Sequence, residues 1–99
     1  MKVYNAMEPL VAEALNENWP QMSMPCKCVQ CKNDVFALTL NFIGPRYVTR
    51  ESGIAYVKAQ YFDKQMKTNI YIKIGEAAKI VAEKPQCETR KKDPEVENV

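Results

Sequence analysis

The chain has 99 residues, with 14 basic and 12 acidic side chains and a net charge of +2. That length supports one modest core, and a charge so near balance gives no broad field to draw the molecule to nucleic acid or to an anionic membrane. No apolar run approaches the roughly 20 residues of a spanning helix, and Glu8, Pro9 and Glu13 interrupt what would be a signal-peptide core, so a cytoplasmic protein without membrane insertion or direct DNA binding is expected.

Taken in order, the chain reads as helical almost throughout. Val3, Met7, Leu10, Val11, Ala14 and Leu15 fall at helical spacing, with Glu8, Glu13 and Glu17 on other faces. Pro9 suits a first turn, where its missing N–H matters least, and Trp19-Pro20 ends the helix because the residue before a proline leaves the α region. Residues 20–30 hold two prolines, two methionines and the first two cysteines of the knuckle and read as a loop. The next helix is expected from about Cys31 to Ile43, with Val35, Leu38, Leu40, Phe42 and Ile43 as its apolar stripe and Gly44-Pro45 as its stop. From Ser52 to Pro85 the pattern is helical again: Ala55, Ala59, Phe62, Met66, Ile70, Ile74, Ala77 and Val81 step by three and four. This is one long helix or two, with Thr68-Asn69 as the favoured break. The alternation in residues 69–74 also suits a strand, but the helical flanks favour helix. Residues 88–99 are mostly charged and read as a flexible tail. The expected fold is therefore all-α, a domain of four to five helices over residues 1–87 with a cysteine knuckle.

The knuckle is Cys26-Lys27-Cys28-Val29-Gln30-Cys31, and a fourth cysteine stands at Cys87. Four thiolates suit a tetrahedral, structural Zn2+ site with no open position for substrate. Disulfides would need an oxidising compartment. Redox chemistry would fit the Cys28-x-x-Cys31 spacing but lacks the strand–helix context of thioredoxin, and inert thiols are the remaining reading.

A second cluster follows. On a helix Asp34, Ala37, Leu38 and Asn41 share one face, and the exit turn presents Arg46 and Tyr47. The plain reading is structural, with Asp34 favoured by the dipole of its helix's first turn, Asn41 capping backbone and Tyr47 packed. The sharper reading is a polar pocket in which Arg46 meets a phosphate, Asp34 and Asn41 meet a base edge, and Tyr47 stacks. No enzyme is evident: the chain has no histidine, no Gly-rich phosphate loop and no nucleophile paired with a base. Tyr56, Tyr61, Ile70, Tyr71, Ile72 and Ile80 are more apolar surface than one helix can bury on so small a core, so a homodimer is expected.

The run Cys-x-Cys-x-x-Cys, Asn-Asp-Val-x-Ala-Leu-x-Leu-Asn and Pro-Arg-Tyr-Val-Thr, from Cys26 to Thr49, resembles the ComFB family, the late-competence proteins of bacteria. So do the opening Val-Tyr-Asn-Ala-Met-Glu-Pro-Leu-Val and Gly53-Ile54-Ala55-Tyr56, and the resemblance spans residues 2–87. It implies an all-helical, dimerising domain with zinc held at Cys26, Cys28, Cys31 and Cys87. It implies expression with the DNA-uptake machinery, from an operon that also encodes a helicase-like protein. The role implied is non-enzymatic, through docking of a competence-system partner. Some relatives are cyclic dinucleotide receptors, and the matching positions here are Lys32, Asp34, Asn41, Arg46 and Tyr47.

Overall fold

A computed structural model describes residues 1–61 and 63–84. Cys87 and the expected tail, residues 88–99, lie outside the described residues. In chain order the elements are a short strand β1 (Tyr4–Asn5), helix α1 (Met7–Asn18), a 3-10 turn (Trp19–Gln21), helix α2 (Val29–Ile43), strand β2 (Tyr47–Val48), and helices α3 (Glu51–Tyr61) and α4 (Lys64–Glu83).

Helix α1 forms where the apolar spacing placed it. Met7, Leu10, Val11, Ala14 and Leu15 are all buried, and Pro9 sits in its first turn. Val3 does not join that face: it is exposed ahead of β1, because the chain at its start is extended rather than helical. Helix α2 begins two residues earlier than the periodicity implied, at Val29, because the knuckle itself supplies the cap: Cys28 is extended at the N-cap and its sulfur accepts the Cys31 N–H at 3.4 Å. Asp34 therefore lies in the second turn, beyond the first-turn position where the helix dipole would favour it most. Of the expected α2 stripe, Val35 is fully buried, Leu38, Leu40 and Ile43 are partly buried against the core, and Phe42 is exposed. Thr39 completes the inner face, its hydroxyl satisfied by donating to the Val35 carbonyl at 2.7 Å.

The second half contains two helices, and the break falls before the favoured Thr68-Asn69 position. Helix α3 ends at Tyr61, and α4 starts at Lys64 with the Asp63 carboxylate accepting from the Gln65 N–H at 2.9 Å. An Asp that can cap a new helix outweighs two weak helix formers that can be carried inside one. Thr68 and Asn69 are carried within α4 on its exposed side, and residues 69–74 are helical. The interruption also shifts the inner face: Ala55 and Ala59 are exposed, and Val57 is the residue of α3 buried in the core, at 2% exposure. In α4 the core face is Ile70, Ile74, Ala77, Ala78 and Val81. Helices α2 and α4 make the most extensive helix pair, and α1 packs against both.

The sequence reading weighed a strand only at residues 69–74, which are helical. Strands β1 and β2 form a two-residue antiparallel ribbon, with Tyr4 opposite Val48 and Asn5 opposite Tyr47. The Asn5 side chain explains its stability: its Oδ1 accepts from the Met7 N–H at 3.1 Å, opening α1, and from the Arg46 N–H at 2.9 Å, binding the exit of α2. That exit depends on Gly44, at φ 84 and ψ 157, a backbone region essentially closed to other residues. Gly53 then lets α3 close on the ribbon: a Cβ there would stand 2.8 Å from Val48 Cβ. Because Asn5 serves two segments at once, Asn5→Ala is expected to cost about 1–2 kcal/mol, at the upper end for loss of a helix-start cap. Urea denaturation of the two proteins measures this, and an unchanged midpoint would show the ribbon to be incidental.

Candidate functional site: the cysteine knuckle and the α2–α4 cleft

The knuckle links the end of α1 to the start of α2. The sulfurs of Cys26, Cys28 and Cys31 all lie within 4.8 Å of one another. Cys31 is 1% exposed and belongs to the core, while Cys26 and Cys28 are half-buried against it. Tetrahedral zinc–thiolate bonds of about 2.3 Å place sulfurs roughly 3.8 Å apart, which this triad reaches with small side-chain adjustment. Three soft thiolates grouped at a helix N-terminus, where the dipole favours negative charge, fit a metal ion chemically. Lys27, between the first two cysteines, reaches back to α1: its ammonium donates to the carbonyls of Trp19 at 2.8 Å and Pro20 at 3.1 Å and lies 5.8 Å over the Trp19 ring.

The polar residues singled out from the sequence separate into two places. Asp34, Ala37, Leu38 and Asn41 do share one face of α2, and they line a cleft of about 340 Å³ whose other wall is Ile80, Val81 and Lys84 of α4. Asp34 Oδ1 accepts from the Gln30 side-chain amide at 2.9 Å, whereas its Oδ2 is buried without a hydrogen-bond partner among the described residues. Arg46 and Tyr47 stand on the ribbon instead. The Arg46 guanidinium donates to the Gln60 side-chain carbonyl of α3 at 2.8 Å, and Tyr47 is 67% exposed. Lys32 is half-buried in the first turn of α2, its N–H bonded to the Cys28 carbonyl at 3.1 Å. Neither Arg46, Tyr47 nor Lys32 lines the cleft. Asn5, Lys27, Gln30 and Gln60 were missed by the sequence reading. Lys27 and Gln30 carried a signal, their positions between candidate ligands.

Residues 4–85 match the model of the family described as late competence development protein ComFB. The chain belongs to the ComFB family. It is 40% identical to the competence protein ComFB of Bacillus subtilis (strain 168) over 91 residues, covering 90% of this chain and 93% of that protein. It is also similar in structure to the late competence protein ComFB from Bacillus subtilis, with a TM-score of 0.78 over 85% of this chain and 92% of the other, at 40% identity. The ComFB match therefore covers the whole described fold, the knuckle, the cleft and the ribbon included. Among the described residues no helix is long and apolar enough to cross a membrane.

Proposed function

We propose that the protein is a non-enzymatic accessory of bacterial competence, a zinc-stabilised helical homodimer that acts by docking a partner of the DNA-uptake system in the cytoplasm. The observation that carries this reading is the family match over residues 4–85, whose described relative is a competence protein. The cysteine triad supports the metal: Cys26, Cys28 and Cys31 supply three ligands. Cys87 is the fourth proposed ligand. Lys84 lines the same cleft as Asp34 and stands three residues before Cys87 in sequence. Zinc in such a site supplies cross-linking of the fold rather than chemistry. The dimer is supported by apolar side chains left outside: Tyr56, Tyr71, Ile72 and Ile80 are exposed. Ile70 leaves that set, because it is in the core at 1% exposure.

Native mass spectrometry of protein purified without added metal tests the scaffold, with a dimer holding one zinc per chain as the expected species. Crosslinking in competent cells tests the role. DNA-uptake proteins should be recovered there and should be absent from non-competent cells expressing the same amount; identical crosslinks in both would overturn the reading.

A second reading is a cyclic dinucleotide receptor, favoured by the cleft that joins Asp34 and Asn41. On this reading Arg46 and Lys32 bind phosphate and Tyr47 stacks, which requires the Arg46–Gln60 hydrogen bond to open. Cyclic di-GMP or cyclic di-AMP should then raise the melting temperature at 100 times Kd by an amount equivalent to about 2.7 kcal/mol, and Arg46→Ala should abolish the rise. No shift in the wild-type protein would dispose of it.

A further inference from the structure

We propose that Lys27 is the positioning residue of the cysteine knuckle, locking the ligand loop onto the C-terminal end of α1 so that Cys26 and Cys28 are held for the metal before it binds. The inference rests on the knuckle being a metal site and adds what sets its affinity.

Three observations converge on this side chain. The first concerns the end of α1. A helix leaves its last carbonyls without partners and favours a cation there, yet the last turn of α1 contains no basic residue. Lys27 supplies a cation from the following loop, donating to the Trp19 carbonyl at 2.8 Å and the Pro20 carbonyl at 3.1 Å in the 3-10 turn that closes α1, where the Trp19 carbonyl also accepts the Met22 N–H at 3.2 Å. The second is the Trp19 ring, 5.8 Å from the same ammonium, which adds a cation–π contact and limits where the head can sit. The third is direction. The sulfurs on either side of Lys27 converge on Cys31, within 4.8 Å of one another, while the Lys27 side chain goes to α1.

The loop is thus fixed at two ends. Cys28 is tied to α2 as its N-cap, and Lys27, next to it in sequence, is tied to α1. A ligand loop ordered in advance loses less conformational freedom when the metal arrives, so its affinity is higher. The positive charge also stands next in the chain to two cysteines that bind a metal as negatively charged thiolates. Both effects act through the ligands, without Lys27 touching the ion.

The test uses the full chain, with cobalt(II) as a spectroscopic probe and zinc as its competitor. The variants are Lys27→Ala and Lys27→Arg, the latter keeping the charge and the reach to both carbonyls and the ring. Lys27→Ala is expected to weaken metal binding by about tenfold or more, the scale of loss when a group that orients ligands is removed, and Lys27→Arg to restore most of it. Because this ordering exists before the metal arrives, metal-free Lys27→Ala should also unfold at lower urea than wild type, and Lys27→Arg should recover most of that midpoint. Trp19, the single tryptophan of the chain, should change its emission on metal binding in wild type and Lys27→Arg but respond less in Lys27→Ala. Equal affinity in wild type and Lys27→Ala would overturn the proposal. So would equal weakening by Ala and Arg, or a metal-free midpoint that Lys27→Ala leaves unchanged. If the wild-type protein shows no thiolate-to-cobalt charge-transfer band, the metal reading itself has failed.

Discussion

Removing zinc from the proposed cysteine site is expected to lower the melting temperature by roughly 12–30 °C. With free zinc at a hundred to a thousand times Kd, binding to the folded state alone adds about 3–4 kcal/mol, and for a domain of this size each kcal/mol moves the midpoint by about 4–8 °C. The cysteines should differ in what they add to that loss. Cys26 is half-buried in the loop, so Cys26→Ser should behave like the chelated wild-type protein. Cys31 is in the core at 1% exposure. Cys31→Ser should therefore be less stable than the chelated wild type, by about 1–3 kcal/mol for a hydroxyl taken out of water without full hydrogen bonding. Thermal melts with and without chelator compare all three proteins. A wild-type melting temperature indifferent to chelator would show that the fold stands without a metal.

Ile70 and Ile72 are two positions apart on α4 and should give opposite results. Ile70 is buried in the core at 1% exposure, whereas Ile72 is 53% exposed. Ile70→Ala should cost about 2–5 kcal/mol, the range for deleting a branched side chain from a packed core. Ile72→Ala should leave chemical stability at limiting dilution nearly unchanged, and should shift the proposed dimer toward monomer in sedimentation. A dimer equally strong in Ile72→Ala would place the contact between copies elsewhere, and a small effect of Ile70→Ala would contradict the packing of the core.

The helices were legible because their apolar residues recur at the spacing of a helix face, most clearly in α1, where all five inner residues were readable in advance. The limits came from features without a periodic signal. Asn5 holds the ribbon through hydrogen bonds to Met7 and Arg46, the second of them 41 positions away, and pairing at such a distance leaves no local mark in the sequence. The helix break was misplaced because Thr68-Asn69 resembles an interruption, whereas the deciding group was the Asp63 carboxylate that could cap a new helix. For the site, the three clustered cysteines were visible from spacing, and so was the shared face of Asp34 and Asn41. The separation of Arg46 and Tyr47 from that face was not visible, since it follows from the extended turn at Gly44 and from Gln60, a residue of another helix.

The ribbon also has a consequence for the order in which the molecule comes apart. Pairing across 41 positions carries a large loop-closure cost and should form late in folding, while α1, α2 and α4 can assemble around their common core without it. Helix α3 depends on the ribbon through the Gly53–Val48 contact and has Val57 as its buried anchor. Its Lys58–Glu13 ion pair with α1, at 3.1 Å, is about half exposed and holds it only weakly. Ribbon and α3 together therefore make a cooperative unit of lower stability than the three-helix core, able to open and reclose while the knuckle and the α2–α4 interface keep their structure.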